Sequence, residues 1–216
     1  MRQYLHVLHF SWRKPDAKPV LSQQDKKERL EWAQLYKDYD FSKVIYVDEC
    51  TLYLDYSGAY CWLPPGFQPS QVELFPSKVN VWAAIGILGQ VSISIYYENT
   101  ESTTYIHNLE EELFPNIEEY GPDWKVMHDG AGYHTFHEVS NFLDDHMKKS
   151  FDPIKNLWAL LKKKVGSRDP ESIEELEEYV NEEFWDISTN IIYELVVSMN
   201  RRTEAVIKVN GDSIDY

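Results

Sequence analysis

Between positions 43 and 97 the apolar residues fall into short runs rich in β-branched and aromatic side chains: KVIYVDE (43–49), LYLDY (52–56), VNVWAAIGI (79–87) and QVSISIYY (90–97). Runs of this length and composition predict strands. Gly89 and Gln90, between the last two, predict a hairpin turn there. A Pro- and Gly-rich stretch from Leu63 to Pro69 separates the first pair from the second. This half of the chain is therefore expected to form an antiparallel sheet.

Helical spacing dominates elsewhere. Ser22 to Tyr39 begins with a cap residue, has an acid three positions on at Asp25, and sets Leu30, Ala33 and Leu35 among charges. Ser102 to Glu118 and His134 to His146 also read as helix, with WKVMHDG (124–130) between them as a short buried strand ending on an acid and a glycine. PIKNLWALLKKKV (153–165) puts Ile154, Leu157, Leu161 and Val165 on one face, and SIEELEEYVNEEF (172–184) opens with a capping box at Ser172 and Glu175. Strands, then a strand bracketed by helices, then helices, define an α+β or mixed α/β fold. Residues 1–21, with Arg13, Lys14, Pro15, Lys18 and Pro19, read as an arm or linker, and 22–216 as one domain.

Composition narrows the function. The 216 residues carry 36 acids against 21 Lys and Arg, a formal charge of −15, so the average field repels phosphate backbones and anionic lipid. With no apolar run long enough to span a membrane and no secretory leader, a soluble intracellular protein with no membrane partner is expected. Its two cysteines, Cys50 and Cys61, read as reduced thiols.

Six segments, in this order, carry a resemblance: WRKPDAKPVLS (12–22), VIYVDECTLYL (44–54), VNVWAAIGILG (79–89), HDGAGYHT (128–135), PIKNLWALLKKKV (153–165) and SMNRRTEAVIKVNGDSIDY (198–216). Together they resemble the catalytic domain of the mariner-superfamily DDE transposases, over nearly all of the chain. The resemblance implies an RNase H-like fold, a central mixed sheet flanked by helices. It implies metal-dependent DNA cleavage and strand transfer with Mg²⁺ or Mn²⁺ held by Asp48 and Asp129, and DNA (transposon ends and target) as partner. A homodimer and a nuclear location go with that activity. Two ions about 3.5–4 Å apart serve such chemistry, and Mg²⁺ takes hard oxygen ligands, which is why converging carboxylates are needed.

Two departures bear on activity. The family's third carboxylate directly precedes the Asn-Leu-Trp triplet, where this chain has Lys155. Asp129 and Lys155 are 26 positions apart, short of the family's usual gap in the mid-thirties. Charge and spacing are thus both altered at the third position, and impaired catalysis is expected. Asp152, three residues upstream of Lys155, is the nearby substitute for a third catalytic acid. The family's helix-turn-helix reader is not among these residues, so weak DNA binding by this chain alone is expected. The alternative function is a catalytically inactive or domesticated derivative, kept as a protein-interaction or weak nucleic-acid-binding module.

The remaining polar residues have plainer readings. Glu49 follows Asp48 on a strand and so faces the other side of the sheet. His128, His134, His137 and His146 match no zinc template and are expected to pack and hydrogen-bond. Cys50 reads as a small buried thiol, the Glu residues of 171–183 as a solvated helix face, and Lys162 to Lys164 as either a solvated face or a DNA-facing stripe.

Overall fold

The structure is a computed structural model that describes residues 21–54, 77–97, 102–117, 120–121, 123–128, 146–148 and 152–214. Its centre is strand β1 (Val44–Tyr53), a single strand that takes in both of the first two apolar runs. Asp48, Glu49, Cys50 and Thr51 do not interrupt it, because each pairs with one of residues 80–83 of the neighbouring strand. On one side β1 pairs antiparallel with β2 (Lys78–Gly86), which pairs antiparallel with β3 (Gly89–Tyr96). On the other it pairs in parallel with β4 (Lys125–His128), which pairs in parallel with β5 (His146–Lys148). Among the described residues the sheet has five strands in the order β3-β2-β1-β4-β5.

Three details differ from the sequence expectation. The β2–β3 turn is Ile87–Leu88, and Gly89 and Gln90 are already paired with Gly86 and Ile85. Gly89 carries the demand of the turn, with φ +129°, a conformation open to glycine. His146 opens β5, so the helix expected to reach it does not; positions 134–145 lie outside the described residues. The helix from Ser102 is α-helical only to His107 (α2), then π-helical over Asn108–Leu113 and 3₁₀ over Phe114–Asn116.

Alternation along the strands feeds two cores. Val44, Tyr46, Cys50 and Leu52 of β1, with Val79, Val81, Ala83 and Ile85 of β2 and Met127 of β4, face the main core. Helices α3 (Ile154–Gly166), α4 (Ile173–Trp185) and α5 (Thr189–Lys208) fill it. The expected face of α3 is the buried one, Ile154, Leu157, Leu161 and Val165, with Trp158 added. Ile45, Val47, Trp82, Ala84 and Val126 face the opposite way, onto Tyr105, Leu109 and Leu113.

Caps and termini fix the ends. Helix α1 (Gln23–Leu35) has the expected capping box, Ser22 with Asp25. At α4 the Ser172 hydroxyl accepts from the Glu175 N–H at 3.1 Å, but the Glu175 carboxylate returns to the N–H of Glu171 instead of Ser172, a box displaced by one residue. α1 packs on α5, where Lys26 pairs with Asp212 at 2.6 Å and the Arg29 guanidinium donates to the Gly211 carbonyl at 3.0 Å.

Gly211 has φ +81°, and a Cβ there would lie 1.9 Å from the Lys26 carbonyl oxygen. Gly211→Ala is therefore expected to destabilise the chain by more than about 1 kcal/mol, measured as a lower urea midpoint.

Candidate functional site

Asp48 sits in the middle of β1, between Tyr46 and Cys50 on the main-core face, and is 5% exposed. A carboxylate in such a row must be hydrogen-bonded, since burying it unpaired costs several kcal/mol. Its Oδ2 accepts the indole N–H of Trp158 at 3.0 Å, and Trp158 is itself 6% exposed. The first candidate acid is thus joined to the helix that bears the third candidate position.

That helix is tied down on three sides. Asp152, buried just ahead of the cap residue Pro153, accepts the N–H of Ile154 at 3.0 Å, which places a negative charge at the N-terminal end of α3. The Asn156 side-chain oxygen accepts from Arg202 of α5 at 3.0 Å. Leu157 lies in the core, and Trp158 reaches Asp48. The Asn-Leu-Trp triplet therefore anchors α3 to α5, to the core and to β1 in successive residues. The contraction upstream has not kept α3 off the strand.

Arg202, 5% exposed, also donates from Nε to Ser198 Oγ at 2.8 Å. Burial holds the phenol of Tyr46 well above its ordinary range; the negative charge of Asp152 adds to that, and Arg202 opposes it. Asp152 and Arg202 thus lie near Tyr46, on the Asp48 face of the sheet. Arg202 has a signal in the sequence: a charged residue on the stripe of Ile192, Val196, Met199 and Val206 marks a buried polar anchor.

The other candidates separate. Lys155 lies on the first turn of α3 with its side chain exposed. Asp152 precedes α3, whose first residue is Ile154, so the helix face expected to join it to position 155 does not exist. Glu49 is half-buried on the other side of the sheet from Asp48. His128 is buried with its ring 6.1 Å from that of Tyr105, also away from Asp48. Burial pushes the Cys50 thiol up, partly opposed by Lys162. Lys164 is engaged by Glu183 at 2.5 Å and Asp186 at 2.9 Å, which hold its ammonium above the usual range. Asp129, the second candidate acid, follows directly on β4 and lies outside the described residues, as do His134 and His137.

A two-ion centre needs several hard oxygen donors. Asp48 is one, but Lys155 puts an ammonium where the resemblance calls for a carboxylate. Among the described residues there is no group of three His, Cys, Asp or Glu side chains able to hold a metal. The described donors do not fit such a centre.

The fold matches that of the Mos1 mariner transposase catalytic domain. The catalytic domain of the Mos1 mariner transposase superposes with a TM-score of 0.73 at 14% identity, over 92% of this chain and all of that one. A Mos1 paired-end complex with the left transposon end superposes with a TM-score of 0.81 at 14% identity, over 99% of this chain and 70% of that one. Other Mos1 structures of this fold were solved with Mn and with Mg. In sequence, the chain is homologous to the Tc1/mariner transposases. It is 27% identical over 219 residues to the Tc3 transposase of Caenorhabditis elegans, covering 92% of this chain. It is 23% identical over 237 residues to the Tc1 transposase of the same organism, covering all of this chain and 87% of that one. The match spans 65% of the Tc3 transposase. No protein-family model matches the chain.

Asn156→Ala should leave the buried Arg202 guanidinium short of an acceptor and cost about 1.5–3 kcal/mol, read as a lowered urea midpoint.

Proposed function

We propose that residues 22–216 form a transposase-type catalytic domain whose chemistry is cleavage of DNA at transposon ends and joining of the 3′ ends to a target, impaired in this chain by Lys155, with residues 1–21 as an arm. The observation that carries the reading is the place of Asp48: buried at mid-strand on the central strand of this fold and hydrogen-bonded to the helix of the third position. The β1–β4 register supports Asp129 as its companion. Val44 pairs with Lys125 and Tyr46 with Met127, an offset of 81, and 48 plus 81 is 129. Side chains alternate along a strand, and Met127 faces the main core as Tyr46 does.

In this reading Asp48 and Asp129 are the candidate ligands for Mg²⁺ or Mn²⁺, and Asp152, which accepts the Ile154 N–H, is the nearby candidate for the missing third acid. An ammonium at position 155 opposes such a cluster, since it is a cation placed beside a cation site. DNA is the partner, two copies of the chain would serve two transposon ends, and the location is nuclear. Mos1 structures determined with transposon ends support the DNA partner.

Lys155 also favours a second reading, a fold retained without catalysis as an interaction or weak nucleic-acid-binding module. Cleavage of a labelled transposon-end duplex with Mg²⁺ or Mn²⁺ separates the two, using the full chain fused to a related DNA-binding region. Weak cutting that disappears in Asp48→Ala is expected. No cutting under any metal supports the second reading. Robust cutting lost in Asp152→Ala refutes the impairment and makes Asp152 the third ligand.

The charge of −15 generates a separate expectation. At about 150 mM salt the unfused chain should bind duplex DNA in the non-specific range, roughly 10⁻⁴ to 10⁻⁶ M, with no sequence preference. A fluorescence-anisotropy titration against scrambled duplexes checks this, and affinity tighter than about 10⁻⁷ M for one sequence contradicts it.

A further inference from the structure

We propose that residues 12–20 dock, within the same chain, along a groove on one flank of α5, as a strap whose Arg13 meets Glu194 and whose Asp16 meets Arg201. This rests on the reading of residues 1–21 as an arm and on no metal chemistry.

The groove has a volume of about 740 Å³. Ile191, Leu195 and Ala205 line it from α5 and Ile214 from the segment that follows, and Ile191 is 43% exposed. Glu194 and Arg201 stand along the same flank, two helical turns and about 10.5 Å apart. Among the described residues neither has an ion-pair partner. An apolar trough marked by an acid and a base at this spacing suits a peptide that carries apolar side chains and the opposite charges in matching order.

The arm has that pattern. Pro15 and Pro19 lock their own φ and push Lys14 and Lys18 into extended backbone, so the segment favours the polyproline II conformation, with three residues per turn and about 3.1 Å per residue. Arg13 and Asp16 then share one edge, about 9 Å apart, and Trp12 and Pro15 share another. Laid parallel to α5, Arg13 comes to Glu194 and Asp16 to Arg201, with Trp12 over Ile191 and Leu195. Laid the other way, each charge meets its like. Exposed ion pairs contribute little by themselves, so the apolar contact holds the strap and the charges set its direction.

The point of attachment agrees with that direction. The arm joins the domain at Ser22, and Lys26, one turn on, pairs with Asp212 at 2.6 Å. Ile214 of the groove lies two residues beyond Asp212. From Asp16 to Leu21 a polyproline II chain covers about 15 Å, more than the roughly 10 Å of helix from Arg201 to the end of α5 at Lys208. Bulk charge acts the same way, since residues 1–21 carry +3 and residues 22–216 carry −18.

The test places the photo-cross-linker p-benzoylphenylalanine at position 12 of the full chain and maps its adducts by mass spectrometry. Adducts are expected on α5 between Ile191 and Ser198. Arg13→Glu and Glu194→Arg should each lower their yield about threefold or more, and the two together should restore it. If Glu194→Arg lowers the urea midpoint, Asp16→Arg with Arg201→Asp repeats the exchange at the second pair.

An equal mixture of unlabelled and ¹⁵N-labelled chains identifies the donor of the arm. Adducts that join light to light and heavy to heavy support docking within one chain, and mixed pairs overturn it in favour of a second copy. Groove adducts indifferent to both charge exchanges overturn the pairing. Adducts scattered over many peptides overturn the groove and leave the arm reading standing. Adducts concentrated on another surface of the domain show a segment built into it and overturn both.

Discussion

A carboxylate in the middle of the central strand constrains this structure more than any other single feature. β1 pairs with β2 from Tyr46 to Tyr53 and with β4 at Val44–Tyr46, and Asp48 lies buried in its row between Tyr46 and Cys50. A buried carboxylate needs a donor, and the facing helix supplies one. The seat of α3, the use of a tryptophan in its apolar stripe, and the polar anchors that steady its first turns all answer that need.

Much of this was legible in the sequence because it is local. The apolar face of α3 follows from helical spacing alone, as do the strand runs and the cap of α1. The errors arise where distant residues decide. An apolar Ile87–Leu88 pair makes the hairpin turn, since the pairing of Gly86 with Gly89 on either side sets the register. Asp152 looked like a helix-face neighbour of position 155, yet Pro153 makes the helix start after it and turns its carboxylate to the N–H of Ile154. Arg202 could not be paired with Asn156 from spacing, because 46 residues separate them and only the packing of α3 on α5 brings them together.

Lys155 shows how fold and chemistry come apart. Its side chain is exposed on the first turn of α3, outside the core and the buried polar anchors. The folded domain places its stability in Leu157, Leu161, Trp158 and Arg202, and those are kept.

Gln90, the second residue of β3, gives its side-chain amide to the carbonyls of Phe184 and Ile187 at 2.8 and 2.5 Å. Those carbonyls lie where α4 ends and before α5 begins, so one amide closes the corner between two helices from the edge of the sheet. Carbonyls at a helix end lack partners within the helix, and here a strand residue supplies them. One side chain thereby ties the β2–β3 hairpin to the α4–α5 corner: the hairpin is the clasp of the helical layer as well as the margin of the sheet.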